Sequence, residues 1–403
     1  MYDKILKIQG VDMMKKLFAF ILALSLAGCS ASQPADRTDN NIYDIPSTNS
    51  VYRSLNNRIS GTKPGDGCAY TVIRHSDTIE IGIIDLETAT IKPLSEESAV
   101  EKVGLASQLF FTDGYLYLIQ NDSIHSYSGK MFQNWYQFSP EGKLLNSVTI
   151  PDYIIGIGTD FVSDGEKIYF TGKDMEENEG IISIDHKTMT VENFFDYDDS
   201  SDYMLMGASN DKFVVKEIVV SKAEDGVLWQ KSNYFLLDPQ TKEKEYIIEQ
   251  SDYLRELYAD NYITCPSDGG TEVYNITEGK STVIPLPQAE KGFVHYNSEL
   301  LLDQNHFIPK YFDFENREDE IYYIFSTQTG SYLEVDGSIA IKGILPKITA
   351  CVDGYYLTET PGDTITVSNG KEAVDFSYSW IKVSDLLSGR QNYIEITKEF
   401  EYH

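Results

Sequence analysis

Residues able to do chemistry are spread through these 403 positions, yet they rarely stand at the spacing that chemistry needs. A Gly-x-Ser-x-Gly nucleophile turn, a His-Glu-x-x-His zinc pair and a phosphate-cradling glycine loop are all missing. Ser209 and Lys212 have the Ser-x-x-Lys spacing of a nucleophile and its base, but Asn210-Asp211 between them is a turn pair, so the segment reads as a solvated hairpin turn. Gly156 and Gly158 lack the third glycine and the following helix of a dinucleotide site and read as loop. The histidines, His75, His125, His186, His295, His306 and His403, stand singly, so only a fold that gathers distant segments gives any of them a partner. Asp196, Asp198, Asp199 and Asp202 crowd into DYDDSSD, where carboxylates suit a hard cation such as calcium. The glycine and closing glutamate of a calcium loop are missing, so a solvated acidic loop is expected there and again at Asp313–Glu320. Calcium is the only cofactor suggested, and no catalytic residue is assigned.

Of the four cysteines, Cys29 has the most informative setting. It ends an apolar run, Leu17–Gly28, that begins directly after Lys15 and Lys16. A basic start and an apolar stretch too short to span a bilayer describe a cleaved export signal, with Met13 or Met14 as an alternative start. Leu26-Ala27-Gly28-Cys29 resembles the lipobox of bacterial lipoproteins. That resemblance implies acylation of the Cys29 thiol, by palmitate or a similar chain, cleavage before it, and anchoring to the cell membrane or outer membrane on the extracytoplasmic side. Cys68, Cys265 and Cys351 form an odd, widely spaced set that fits neither a disulfide framework nor a metal site, so buried free thiols are expected.

The net charge is −30, and the segment up to Gly28 holds four lysines and two aspartates, so its removal leaves a chain two units more acidic. Such a surface repels nucleic acid and anionic headgroups, which excludes a nucleic-acid partner and leaves membrane attachment to the lipid. The expected organisation is a signal at 1–28, lipid attachment and a flexible tether at 29–51, and one folded domain at 52–403. Residues 30–50 are polar, contain two prolines and show no sustained period.

The folded part repeats. Tight-turn signals recur between β-rich runs at Asp66-Gly67, Asp113-Gly114, Asp164-Gly165, Asn210-Asp211, Asp260-Asn261, Asn297-Ser298 and Asp353-Gly354. Between them falls a second series, an apolar residue followed by Asp85, Ser139, Asp185, Asp238, Asn275, Ser326 or Asp385 and then a short polar turn. Two hairpins per unit make four strands per unit, and the spacing is that of propeller blades. Trp135 and Trp380 occupy matching places, WYQFS against WIKVS, and read as core. The expected fold is all-β, a single β-propeller of seven four-stranded blades, with Cys68 and Cys351 near the seam where the first and last blades meet. The unit from Asp164 to Thr188, DG-x2-IYF and then G-II-SID-x2-T, resembles the repeats of TolB-like and WD40-like propeller lipoproteins of bacteria. The resemblance implies fold and no substrate.

In such a blade the tight turns share one end, and the connections at the other end lengthen around Asn121–Asn134, Asp303–Asp319 and Thr360–Phe376. Those segments supply the candidate ligand-binding residues His125, Tyr127, Phe132, His306, Phe307, Tyr311 and Phe312. The expected function is a non-catalytic, membrane-anchored binding or scaffold module for a protein or for an envelope or extracellular ligand. The alternative is a hydrolase or lyase acting on glycans or peptides, with two carboxylates and a histidine gathered in the channel.

Overall fold

Alternating β-branched and aromatic residues, broken by turn pairs, fold this chain into antiparallel hairpins and little else. The computed structural model describes residues 51–55, 67–103, 107–122, 132–151, 160–197, 202–222, 228–251, 256–258, 262–267, 270–285, 293–301, 306–313, 320–326, 331–334, 347–366, 370 and 372–402. Strand β1 (Arg53–Ser54) comes first. The first sheet holds β2 (Cys68–Arg74), β3 (Thr78–Asp85), β4 (Thr90–Pro93) and, beside β3, β5 (Val100–Glu101). The second is β6 (Ser107–Thr112), β7 (Tyr115–Asp122), β8 (Phe132–Phe138) and β9 (Leu144–Pro151). The third is β10 (Val162–Ser163), β11 (Lys167–Lys173), β12 (Glu179–Asp185) and β13 (Val191–Asp196). The fourth is β14 (Asp202–Ser209), β15 (Lys212–Lys222), β16 (Leu228–Leu237) and β17 (Lys244–Ser251). The fifth is β18 (Glu256–Tyr258), β19 (Tyr262–Ser267), β20 (Gly270–Asn275) and β21 (Lys280–Pro285). The sixth is β22 (Phe293–Leu301), β23 (His306–Asp313), β24 (Glu320–Ser326) and β25 (Ser331–Glu334). The seventh is β26 (Lys347–Val352), β27 (Tyr355–Thr366), β28 (Glu372–Lys382) and β29 (Ile394–Glu395), with a five-residue helix α1 (Val383–Leu387) before its last strand. Successive four-stranded antiparallel meanders are propeller-type repeats.

Two strands depart from the simple repeat. β1 pairs antiparallel with β10 and adds a strand to the third sheet, while the last strand, β30 (Thr397–Lys398), lies parallel to β4 on the outer edge of the first.

The turns obey a common chemistry. In the second series the Oδ1 of Asp85, Asp185 and Asp238 accepts the backbone N–H of Thr88, Thr188 and Thr241 respectively. Those bonds hold all three carboxyls below the usual range. Asn275 does the same for Glu278, and the next residue in each turn has positive φ: Ala89, Met189, Lys242 and Gly279. The first-series pairs Asp113-Gly114, Asn210-Asp211 and Asp353-Gly354 take positive φ at both residues, as the expected tight hairpins require.

Layers of apolar side chains lie between consecutive sheets. Tyr70 and Ile81 face Leu116 and Phe138 between the first and second, Trp135 and Phe110 meet Ile168 and Phe170 between the second and third, and Tyr169 meets Tyr203 and Phe213 between the third and fourth. Ala69, Ile73 and Ile84 of the first sheet pack with Tyr356, Tyr378 and Trp380 of the seventh. There the Tyr378 hydroxyl donates to the Val72 carbonyl at 3.2 Å, and Arg74 pairs with Glu359 at 3.0 Å. Trp135 and Trp380 sit on the third strands of their sheets, fully buried, as core.

Several expectations are corrected. Asn297-Ser298 is no hairpin turn: β22 runs through it with a shift of register between Tyr296 and Leu300, so the turn-forming pair serves a bulge. The connection after Asp385 is α1, with the Asp385 carbonyl accepting the N–H of Arg390. His306, Phe307, Tyr311 and Phe312 are on strand β23, because this aromatic-rich run pairs with both β22 and β24. Thr360–Phe376 is likewise a continuation of the β27–β28 hairpin. Cys68 is half-buried rather than buried, its thiol donating to Asp85 at 3.7 Å.

The two tryptophans supply a test of the packing. Trp135 Nε1 donates to Gln133 at 3.1 Å, whereas the buried Trp380 Nε1 has no partner among the described residues. Phenylalanine removes similar volume at each site, so Trp135→Phe should cost about 1 kcal/mol more than Trp380→Phe in urea unfolding. Equal losses would contradict the packing described.

Candidate functional site

β1 brings four consecutive side chains against three different sheets. It runs antiparallel to β10, with Arg53 opposite Ser163 and Ser54 opposite Val162, and the Leu55 N–H donates to the Phe161 carbonyl at 2.7 Å. Tyr52 packs edge-on against Tyr169 and Phe213. Burial and the carboxylates of Asp164, Asp211 and Asp238 push its phenol up, so it stays protonated. The Ala208 N–H donates to the Ser54 hydroxyl at 2.7 Å, and Leu55 is buried among Phe110, Phe161 and their neighbours. The backbone N–H of Val51 donates to Asp211 at 2.6 Å, and the Arg53 guanidinium pairs with Asp113.

Asp113 is the hub of a polar network between the second and third sheets. Its carboxylate accepts hydrogen bonds from the hydroxyls of Ser163 and Thr112, and Nε2 of His186 lies 3.3 Å away. The other side of the imidazole, Nδ1, is 2.6 Å from the Tyr117 hydroxyl, which in turn accepts from Gln137 Nε2 at 2.7 Å. With that amide donating to its oxygen, Tyr117 can turn its own proton to Nδ1, the tautomer that leaves an N–H on Nε2 facing Asp113. Burial opposes ionisation of Asp113, but His186, Ser163, Thr112 and Arg53 outweigh it and hold the carboxyl well below the usual range. Burial pushes the Tyr117 phenol well up.

Ser163, His186 and Asp113 are the residue types of an acyl-transfer triad in the wrong order. A general base needs the serine on a free imidazole lone pair and the carboxylate on the opposite ring nitrogen. Here Ser163 gives its proton to Asp113, and both lie on the Nε2 side at 3.5 and 3.3 Å. The arrangement cross-braces two sheets and holds β1. A second buried pair, His75 with Glu80 at 2.8 Å, lies beside Arg74–Glu359 at the boundary of the first and seventh sheets, flanked by the rings of Phe400 and Tyr402.

The residues singled out from sequence are placed as follows. Phe132 begins β8, paired with Asp122 and Pro151; His125 and Tyr127 lie outside the described residues, as do Cys29, Asp198, Asp199 and Gly156. Asp196 ends β13 and accepts from Asn193 at 2.8 Å, and Asp202 opens β14. Among the described residues no group of three His, Cys, Asp or Glu side chains is arranged to hold a metal. Ser209 and Lys212 pair across a hairpin turn, with Ser209 buried and the amine of Lys212 on Glu245 at 2.6 Å. No helix among the described residues is long and apolar enough to cross a membrane. The Asp113 network went unread because its members come from five strands and two turns, although Asp113 and His186 each stand at a recognised turn.

No family model matches this chain, and no curated protein matches it. Solved structures are similar over most of its length. The β-propeller domain of the Trilobed protease from Pyrococcus furiosus is 12% identical, with 80% of this chain and 95% of that one covered and a TM-score of 0.46. An oligogalacturonate lyase in complex with manganese is 11% identical, with 79% and 82% covered and a TM-score of 0.43. The dihydro-heme d1 dehydrogenase NirN is 10% identical, with 82% and 74% covered and a TM-score of 0.41. The assignment to propeller-type repeats rests on the strand order itself.

The depressed Asp113 carboxyl ties stability to acid. Its contribution is complete above the unfolded-state value of about 4 and is lost as the pH falls below that toward the lower folded-state value. Asp113→Asn should lower the urea midpoint at pH 7 by the equivalent of about 2–3 kcal/mol and flatten its decline below pH 4. An unchanged acid slope would show that Asp113 is not the hub.

Proposed function

We propose that this chain is an exported, lipid-anchored β-propeller that acts as a non-catalytic binding or scaffold module for a protein or for an envelope or extracellular ligand. Seven sheets closing in one ring is the architecture this reading assumes, supported by the packing of the first sheet on the seventh. The observation that carries the binding role is a contrast between the two ends of the sheets. At the tight-turn end Arg53, Asp113, Ser163, His186 and Tyr117 are bonded to one another across the boundary of the second and third sheets. At the opposite end two hairpins outrun their flanking strands. β15–β16 continues through Lys222 opposite Leu228, beyond the last pairings with β14 and β17, and β27–β28 continues through Thr366 opposite Glu372. Protruding ribbons on a rigid frame are where partners are usually met.

A photo-crosslinking residue at exposed Thr364 in the β27–β28 ribbon should capture a discrete partner in cells, and one at exposed Glu87 in a tight turn should not. Capture from Glu87 alone would reverse the assignment, and glycan or peptide cleavage by the pure chain would favour the hydrolase or lyase alternative. For the anchor, Cys29→Ala should release the protein from membranes or leave the signal uncleaved. Unchanged membrane association with unchanged mass would remove the lipoprotein reading.

A further inference from the structure

We infer that residues 51–55 pin the exit of the N-terminal tether to the tight-turn end of the propeller, so that the anchored molecule turns this end to the lipid surface and its ribbons away from it. This rests on the proposed anchor and ring. The direction follows from register. β10 runs from Phe161 to Ser163 and on into the Asp164-Gly165 turn, and β1 is antiparallel to it. The chain therefore enters beside the tight turns and proceeds inward. Val51 lies on Asp211 in the first turn of the fourth sheet and Arg53 on Asp113 in the first turn of the second, with Leu55 buried deeper. The second-series turns share that end, because the His186 N–H donates to the Glu166 carbonyl at 2.9 Å.

A strand held by only two residue pairs is a weak attachment by backbone alone. The side chains compensate, since Tyr52, Arg53, Ser54 and Leu55 each have a separate partner and together engage the second, third and fourth sheets. Taken as the coil that their polar, proline-containing sequence suggests, residues 30–50 average about 25 Å end to end. To present the opposite end, the tether would have to cross four strands, about 20 Å, and descend a strand of about 25 Å, roughly twice that span.

The experiment uses the full mature chain with an N-terminal histidine tag in place of the lipid, bound to nickel-lipid vesicles that carry an acceptor dye on their headgroups. A donor dye is placed through an unnatural amino acid at Glu87, in a tight turn, or at Glu372, in the ribbon, both exposed. The two ends lie about 25 Å apart, so energy transfer from position 87 should exceed that from 372 by about twofold or more. Arg53→Glu should bring the ratio toward one. Equal transfer in the unmutated chain, or greater transfer from 372, would overturn the inference. Because the tag replaces the lipid, this outcome is separate from the Cys29→Ala result, which tests the anchor alone.

Discussion

Each of the first four sheets has two apolar faces and no means of covering either by itself. Burial against the next sheet is the constraint from which the rest follows. It accounts for the aromatic residues on successive second and third strands, such as Tyr117 with Trp135 and Tyr356 with Trp380, which fill the space between neighbours. It also explains why the charged and polar residues gather at the strand ends and outer edges, where β9 leaves Leu144 and Leu145 partly exposed. Polar groups that do enter the layers are tied to one another, as the Gln137–Tyr117–His186–Asp113 series shows.

Much of the repeat was legible in sequence because turn chemistry is local. An aspartate that accepts the N–H three residues on, or an Asp-Gly pair with positive φ, needs nothing beyond its own hairpin, so Asp85, Asp185, Asp238 and Asp113-Gly114 announce themselves. Asn297-Ser298 has the same composition and fails, since a bulge uses the same residue types as a turn and only the pairing of β22 with β23 separates them. The long connections were misread for a related reason. His306 to Phe312 lack the clean alternation of a half-buried strand, and their histidine and aromatics suggest a binding loop when the partners β22 and β24 are not yet in view.

What sequence withheld is what depends on contacts across the fold. Nothing in VYRSL marks it as a strand of the third sheet, more than a hundred residues from its partner, and the role of Arg53 appears only once Asp113 is beside it. The polar network was hidden for the same reason: Ser163, His186 and Asp113 are individually ordinary turn and strand residues. Their residue types invite a catalytic reading, and the direction of the Ser163 proton decides against it.

The placement of the two outlying strands bears on the order of assembly. A chain is made from its N-terminus, so β1 emerges early yet has no partner until Val162 and Ser163 have followed. The outer edge of the first sheet stays open for longer, because β30 follows β4 by about three hundred residues. Pairings so distant in sequence form slowly. Until β30 has followed, the edge of β4 is unpaired on that side and the apolar layer that includes Ile91 and Ile396 is incomplete.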